Sequence, residues 1–348
     1  MPSRRDFLVL TGAGLGAGAG FAAGTGRSWA QAAAPKFTAK IGHLESPLQP
    51  RHRGLEKVSS LVKERTKGEV EFKLFPASQL GNARQMIEGT QFGSIECNVM
   101  PAAFLGGFNP IVSIFDIPFL LPDDQGKSNE LRTGAFGQYI LDTFSSRGLT
   151  AIALWPNGRK SLTSNKPLNS IDAFKGQKFR VMDSRILIEQ FSAVGANAIA
   201  IAFGELYTAL QTGVVDGEEN PLDTISTMKF HEVQKYLVVS NHGAMEDLVL
   251  FNPAWWQSLP AGHRKIITDT FIEVRPEVEK MKNEAQDKAL EVIKAAGKTE
   301  IRTMDDAERK ALRTAMVPKA QEAYLQRAGA EGKKAVDLYD SERKRLGL

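Results

Sequence analysis

Apolar residues along this chain follow two spacings that alternate. Val70, Phe72 and Leu74 fall on every second position with Glu71 and Lys73 between them, the pattern of a half-buried strand. Before them, Leu55, Val58, Leu61 and Val62 share one face of a helix that starts near Arg51 and is closed by Gly68. Lys36 to Leu44 reads as a strand ahead of that helix, with Pro47 and Pro50 marking the loop between. A second helix starts within Gln79 to Asn82 and runs to about Phe92, and Ile95 to Met100 is the next strand. Repetition of this kind predicts an α/β domain with a largely parallel sheet.

The same grammar restarts at Leu149 to Trp155, a strand. Phe179 to Met182 is another. Ile186, Leu187, Phe191 and Val194 then share a helix face ended by Gly195, Ile199 to Ala202 is a short strand, and Glu205 to Thr212 is a helix. Val214 to Gly217 reads as a strand running into a turn, Leu222 to Leu237 as a helix, and Leu248 to Phe251 as a strand. From Pro260 the pattern is nearly continuous helix, with Val278, Met281, Ala285, Ala289 and Val292 in phase. Pro276 is expected to kink or divide it. Asp305 and Glu308 form a capping box for one more helix, and the charged end, Lys333 to Leu348, reads as a solvated face or a frayed tail. Two α/β lobes spanned by a long helix make a clamshell, and pockets form preferentially between such lobes.

Composition narrows the function classes. The 348 residues carry 44 Lys and Arg against 40 Asp and Glu, which is no footprint for nucleic acid. Cys97 is the only cysteine, so no intramolecular disulfide forms, and its place in an apolar run predicts a buried, inert thiol. His43, His52, His231, His242 and His263 are scattered without zinc-ligand spacing, and there is no Gly-x-Ser-x-Gly elbow. Neither a metal nor a cofactor is expected.

The N-terminus changes the picture more. Ser3-Arg4-Arg5-Asp6-Phe7-Leu8, an apolar glycine-rich stretch to Ala23, and Ala30-Gln31-Ala32 have the form of a twin-arginine secretion signal cleaved near Ala32. The apolar stretch is too short and too rich in glycine to make a good spanning helix. Gly12-Ala13-Gly14-Leu15-Gly16-Ala17 loosely fits a dinucleotide fingerprint but lies inside this leader, with no strand before it. A protein delivered to the periplasm has no ATP or cytoplasmic nicotinamide cofactor to draw on. That favours binding and delivery over metabolic catalysis.

Candidate chemistry concentrates between Trp155 and His242. Gly158-Arg159-Lys160 follows a strand end and places two cations at a cleft mouth. Arg180 alternates with Phe179 and Val181 in an apolar strand, so it faces the opposite way. A cation there is costly unless it meets an anion: a ligand carboxylate gripped by the guanidinium fork, or an internal partner such as Asp183 or Glu205. Asn220 can hold a polar ligand group or cap the helix after it. Glu218 and Glu219 point apart on an extended chain, which argues against a shared reaction centre and for solvated or salt-bridged roles. Trp155, Phe203, Tyr207, Trp255 and Trp256 are pocket walls or plain core.

These residues resemble a known family. Leu74-Phe75-Pro76-Ala77-Ser78-Gln79-Leu80-Gly81, Ile117-Pro118-Phe119-Leu120, the run from Phe203 to Pro221, Phe230 to Tyr236, and Asn241-His242 are similar to motifs of the DctP-type solute receptors of TRAP transporters. The resemblance covers almost all of the chain after the leader. It implies a two-lobed periplasmic-binding-protein clamshell with crossing hinge strands and a long bridging helix. Lobe I would comprise residues 33–156 and 245–285, and lobe II residues 157–244 and 286–348. It also implies a receptor, with no catalytic step, that closes on a small organic acid and docks on ion-gradient-driven TRAP membrane subunits. Arg180 aligns with the family's carboxylate-binding arginine, Asn220 with its ligand-contacting asparagine and Phe203 with a pocket wall. Lys160 replaces a second family arginine, so either it or Arg159 would add charge.

Pro101, Ala102, Ala103 and Phe104 replace polar residues of sialate-binding members, which favours a compact or partly apolar acid. If Arg51, His52 and Arg53 face the cleft, a dicarboxylate fits; otherwise a monocarboxylate. The candidate ligand contacts are Arg180, Lys160, Arg159, Asn220, Phe203, Trp155, His43 and Glu205. The competing readings are a periplasmic hydrolase or lyase using Glu218, Glu219 and His242, and a partner-binding subunit without ligand.

Overall fold

The computed structural model describes residues 34–348, so the expected leader, 1–32, lies outside the described residues. The first half opens with β1 (Phe37–Gly42), α1 (Pro50–Arg65) and β2 (Val70–Phe75). Pro50 starts α1, where its missing N–H costs nothing, and Gly68 takes the left-handed φ of 82° that turns the chain into β2. α2 (Ala83–Phe92) begins with a full capping box: Asn82 accepts from the Gln85 N–H, and the Gln85 side chain reaches back to the Asn82 N–H. β3 (Cys97–Pro101) follows, then a 3-10 segment at Pro110–Asp116, α3 (Gln125–Thr133) and α4 (Ala135–Asp142). β1 lies parallel to both β2 and β3.

β4 (Thr150–Ser164) departs from the sequence reading, which ends this strand at Trp155. It continues through Pro156-Asn157-Gly158, and slips in register between Pro156 and Gly158 absorb the proline. The second half then places β5 (Lys178–Val181), α5 (Arg185–Ser192), β6 (Asn197–Ala200), α6 (Leu206–Gln211), β7 (Gly217–Pro221), α7 (Leu222–Thr227), β8 (Tyr236–Val239) and β9 (Ala244–Phe251). α8 (Pro253–Ser258), α9 (Ala261–Ala296), β10 (Glu300–Thr303) and α10 (Asp306–Arg345) complete the chain.

The length of β4 organises the molecule. From Thr150 to Arg159 it runs antiparallel to β9; from Lys160 to Ser164 it runs antiparallel to β7 and β8. One strand therefore belongs to two sheets, in the order β2-β1-β3-β9-β4-β7-β5-β6. This is a two-lobed α/β fold with strands crossing between the lobes. α9 packs on α1 and β4 on one side and on α7 on the other, as a bridging helix should. A methyl group at Gly54 of α1 would sit 2.3 Å from Val278, so glycine is required where the two helices touch. Among the described residues no helix is long and apolar enough to cross a membrane.

Three segments differ from the sequence reading for physical reasons. Val214–Asp216 precede the strand, and Gly217–Pro221 form it, because Gly217 and Glu218 pair with Phe179 and Arg180 of β5. Residues 236–239 are strand, not helix: Lys229 takes a left-handed φ of 60°, and Leu237 then pairs with Ile301 across the parallel β8–β10 ladder. The charged end is neither frayed nor merely a solvated face. Ala335 and Tyr339 are buried, and the Tyr339 ring lies 5.4 Å from Phe136 of α4. Pro276 sits inside α9 without dividing it. Packing along both sides of that helix outweighs the roughly 3 kcal/mol a mid-helix proline costs. The Asp305–Glu308 capping box forms as read, and Cys97 is buried with its thiol pushed up by desolvation.

Candidate functional site

Strand register decides which side chains meet. Arg180 pairs with Glu218 across β5–β7, Thr163 with Glu218 and Ser161 with Asn220 across β4–β7. Because strand side chains alternate, Arg180, Glu218, Asn220, Thr163 and Ser161 stand on one face, while Lys160, Leu162 and Glu219 stand on the other. Phe179 and Val181 turn away from Arg180 into core, as the alternation predicts.

Arg180 is 0% exposed. Its Nε donates to the Ile201 carbonyl at 2.9 Å, while Nη1 and Nη2 find no partner among the described residues. Burial lowers its pKa to about 10, and the charges of Glu218 and Glu219 only partly offset this, so the group remains a cation at neutral pH. The internal ion pair with Asp183 or Glu205 does not form. Asp183 lies 3.6 Å from Arg84, and Glu205 lines an outer cleft. Glu218 accepts from Thr163 Oγ1 at 2.9 Å and from Asn220 Nδ2 at 2.5 Å. Those donors and the charge of Arg180 are outweighed by burial, which raises the Glu218 carboxyl to about 7.

Asn220 and Phe203 line a chamber of about 20 Å³, walled also by Pro101, Phe104, Asn157 and Glu45. Leu44, Phe104 and Phe203 are shared with the outer cleft, which has a volume of about 760 Å³. Of the eight predicted contacts, three therefore line these cavities: Asn220 and Phe203 the chamber, and Phe203 and Glu205 the cleft. Arg180 joins them through Glu218 and Ile201.

The other four are engaged elsewhere. Lys160 is 3% exposed, with Nζ 2.7 Å from Glu219 Oε1 on the opposite face of the sheet. Burial by itself would raise Glu219, but Lys160 and His242, 2.8 Å away, overcome this and hold it near 2. The family-derived second cation is thus consumed inside the protein. Arg159 does not replace it, because its guanidinium donates to the Leu121 and Pro122 carbonyls. Trp155 is 0% exposed, and its indole donates to the Phe271 carbonyl at 2.9 Å in the core under α9. His43 Nε2 lies 3.0 Å from His52 Nδ1, and burial followed by the Arg51 charge pushes His43 down to about 3. Trp255 and Trp256 pack on Phe251 as core.

Sequence reasoning missed a buried ion network beside the chamber. Arg51 Nε donates to Asp247 at 2.7 Å, and Nη2 lies 3.3 Å from Glu45. Lys282 of α9 lies 2.8 Å from Asp223 and 3.3 Å from Glu45. Asn157 donates to Asp247 at 2.9 Å. Arg51 had a signal as a possible cleft residue. Asn157 sits in the part of β4 the reading left out, and Lys282 is one charge among many on a long helix. Among the described residues no three His, Cys, Asp or Glu side chains gather as a metal-ligand set.

The comparisons with known proteins agree with this fold. A family model described as bacterial extracellular solute-binding protein, family 7, matches residues 41–327. The C4-dicarboxylate-binding periplasmic protein DctP of Rhodobacter capsulatus is 34% identical over 315 residues, covering 89% of this chain and 93% of its own. A TRAP periplasmic solute binding protein from Desulfovibrio salexigens, solved with bound orotic acid, is 66% identical with a TM-score of 0.88, covering 89% of this chain and 99% of its own. One from Sulfurospirillum deleyianum with bound succinate is 33% identical with a TM-score of 0.80, covering 86% and 98%.

Proposed function

This chain belongs to the bacterial extracellular solute-binding proteins of family 7, receptors rather than enzymes, and on that premise we propose that it captures a flat, compact monocarboxylic acid of the orotate kind. The observation that carries the reading is Arg180, a fully buried cation with both terminal nitrogens unpartnered among the described residues. A carboxylate matches that fork in bidentate fashion. Asn220 orients the ligand, and Phe104, Phe203 and Pro101 give it apolar walls. A monocarboxylate is favoured over a dicarboxylate because Arg51, the second cation at the chamber, is already paired with Asp247 and Glu45.

Capture is a population shift. The lobes, 33–156 with 245–285 and 157–244 with 286–348, move about the β4 and β9 crossing, and the ligand stabilises the closed form by touching both. TRAP membrane subunits then receive the closed receptor, and the 1–32 leader delivers the protein to the periplasm by the twin-arginine route. A melting screen tests the ligand class. Orotate should raise the transition temperature in proportion to ln(1 + [L]/Kd), with succinate weaker. If no carboxylic acid shifts the transition, the reading is wrong.

A further inference from the structure

The chamber has an acceptor side as well as a cationic one. Asn157 donates Nδ2 to Asp247 Oδ1. Asp247 is ion-paired with Arg51 and can only accept, so the amide orientation is set. The Asn157 Oδ1 is left buried with no partner among the described residues. Glu45 gives Oε1 to Arg51 and Lys282, and its Oε2 is likewise buried without a partner. Asn220 donates its Nδ2 to Glu218. All three residues line the same chamber. Buried acceptors without donors are unfavourable and rare in native proteins. The chamber is also lined by Arg51, whose Nη1 has no partner among the described residues, by Thr224, and by apolar side chains including Pro101, Phe104, Met182 and Phe203; at about 20 Å³ it must widen toward the outer cleft, with which it shares Phe104 and Phe203, to admit a flat guest.

We propose that Asn157 and Glu45 set the specificity of this receptor, selecting acids that carry ring N–H donors on the side away from the carboxylate. This rests on the reading of the protein as an acid receptor anchored by Arg180. A cyclic imide suits the site because its N–H donates to these acceptors while a flanking carbonyl oxygen can accept from Arg51 Nη1, which has no partner among the described residues. An acid without such donors leaves the wall unpaired, and a site built for a hydrogen bond rejects an analogue that cannot make it.

Isothermal titration at pH 8, where Glu218 is ionised and accepts from the Asn220 amide, separates the possibilities with three probes. Orotate has such a donor, its N3–H opposite the carboxylate; 1,3-dimethylorotate has no ring N–H, and benzoate lacks one without added bulk. Orotate should bind at least about 100-fold more tightly than either of the others. Asn157→Leu, which keeps the volume and removes the acceptor, should shrink the orotate-to-benzoate ratio at least about tenfold. Benzoate within threefold of orotate on the natural protein would overturn the proposal while leaving the acid receptor intact, and that comparison needs no variant to fold. Failure of all three acids, and of succinate, would instead remove the reading beneath it.

Discussion

Arg180→Met separates a ligand anchor from a structural cation, because the two roles predict opposite signs. As a ligand anchor the guanidinium would make two charge-assisted hydrogen bonds to the carboxylate, each worth about 1.5–3 kcal/mol. Losing both should weaken binding by about 3–6 kcal/mol, or roughly 10²- to 10⁴-fold in Kd. In this structure the same group is a buried charge with two unpartnered nitrogens and no carboxylate within ion-pair distance among the described residues. Replacing it with an apolar side chain of similar length removes a desolvation penalty of about 1–3 kcal/mol. Glu218, relieved of a neighbouring cation, stays protonated more readily and adds no new cost. The variant should therefore melt a few degrees higher than the natural protein when empty. It should also lose the ligand-induced rise, which for the natural protein is about 2.7 kcal/mol at 100 times Kd. Calorimetric melting with and without orotate measures both. A variant that keeps the full ligand-induced rise refutes the anchor, and one that melts far lower when empty shows that Arg180 holds the fold instead.

Two further perturbations follow from the same charges. The folded pKa of Glu218, about 7, lies above its ordinary value of 4.5, so its contribution to stability is present below 4.5 and is lost as pH rises through 7. Above 7 the ionised carboxylate also competes with the ligand for Arg180. Orotate affinity should fall between pH 6 and 8 by at most about one log unit per pH unit, and Glu218→Gln should flatten that profile and raise stability at pH 8 by up to about 3 kcal/mol. A profile unchanged by the substitution would rule Glu218 out. Lys282→Met should cost about 3–5 kcal/mol in urea unfolding by leaving Asp223 without its cation and Glu45 with Arg51 alone, and adding Asp223→Asn should recover part of it. A loss under about 1 kcal/mol would mean that water reaches the network.

Much of the fold was legible because its signals are local. The β1–α1–β2–α2–β3 order, the Asn82 helix start, the Gly68 turn and the Asp305 capping box each depend on residues a few positions apart. The misread segments depend on partners far along the chain. Nothing near Pro156 announces that the strand continues; β9, some ninety residues on, supplies the ladder that carries it through. Tyr236 to Val239 lie in phase with the helix before them, and only β10 makes them strand. The charged C-terminal run looked solvated because its buried positions, Ala335 and Tyr339, are sparse and find their surface on α4.

The site divides along the same line. Arg180 was visible because a cation in an apolar strand violates local expectation, and that violation persists in the structure as two nitrogens without partners. Lys160 carries the same formal charge twenty residues earlier, yet the alternation of β4 turns it to the other face, where Glu219 neutralises it. Formal charge is a property of the residue; free charge is a property of the register. The same holds for the acceptors. Asn157 is an ordinary asparagine in the sequence. It lines the chamber while Asp247 of β9 holds its amide nitrogen, which leaves the oxygen buried without a donor among the described residues. On the proposed reading, recognition in this receptor is built from what the internal pairing leaves over. A substitution that frees or consumes one of those internal partners should therefore alter specificity as surely as one that touches the ligand.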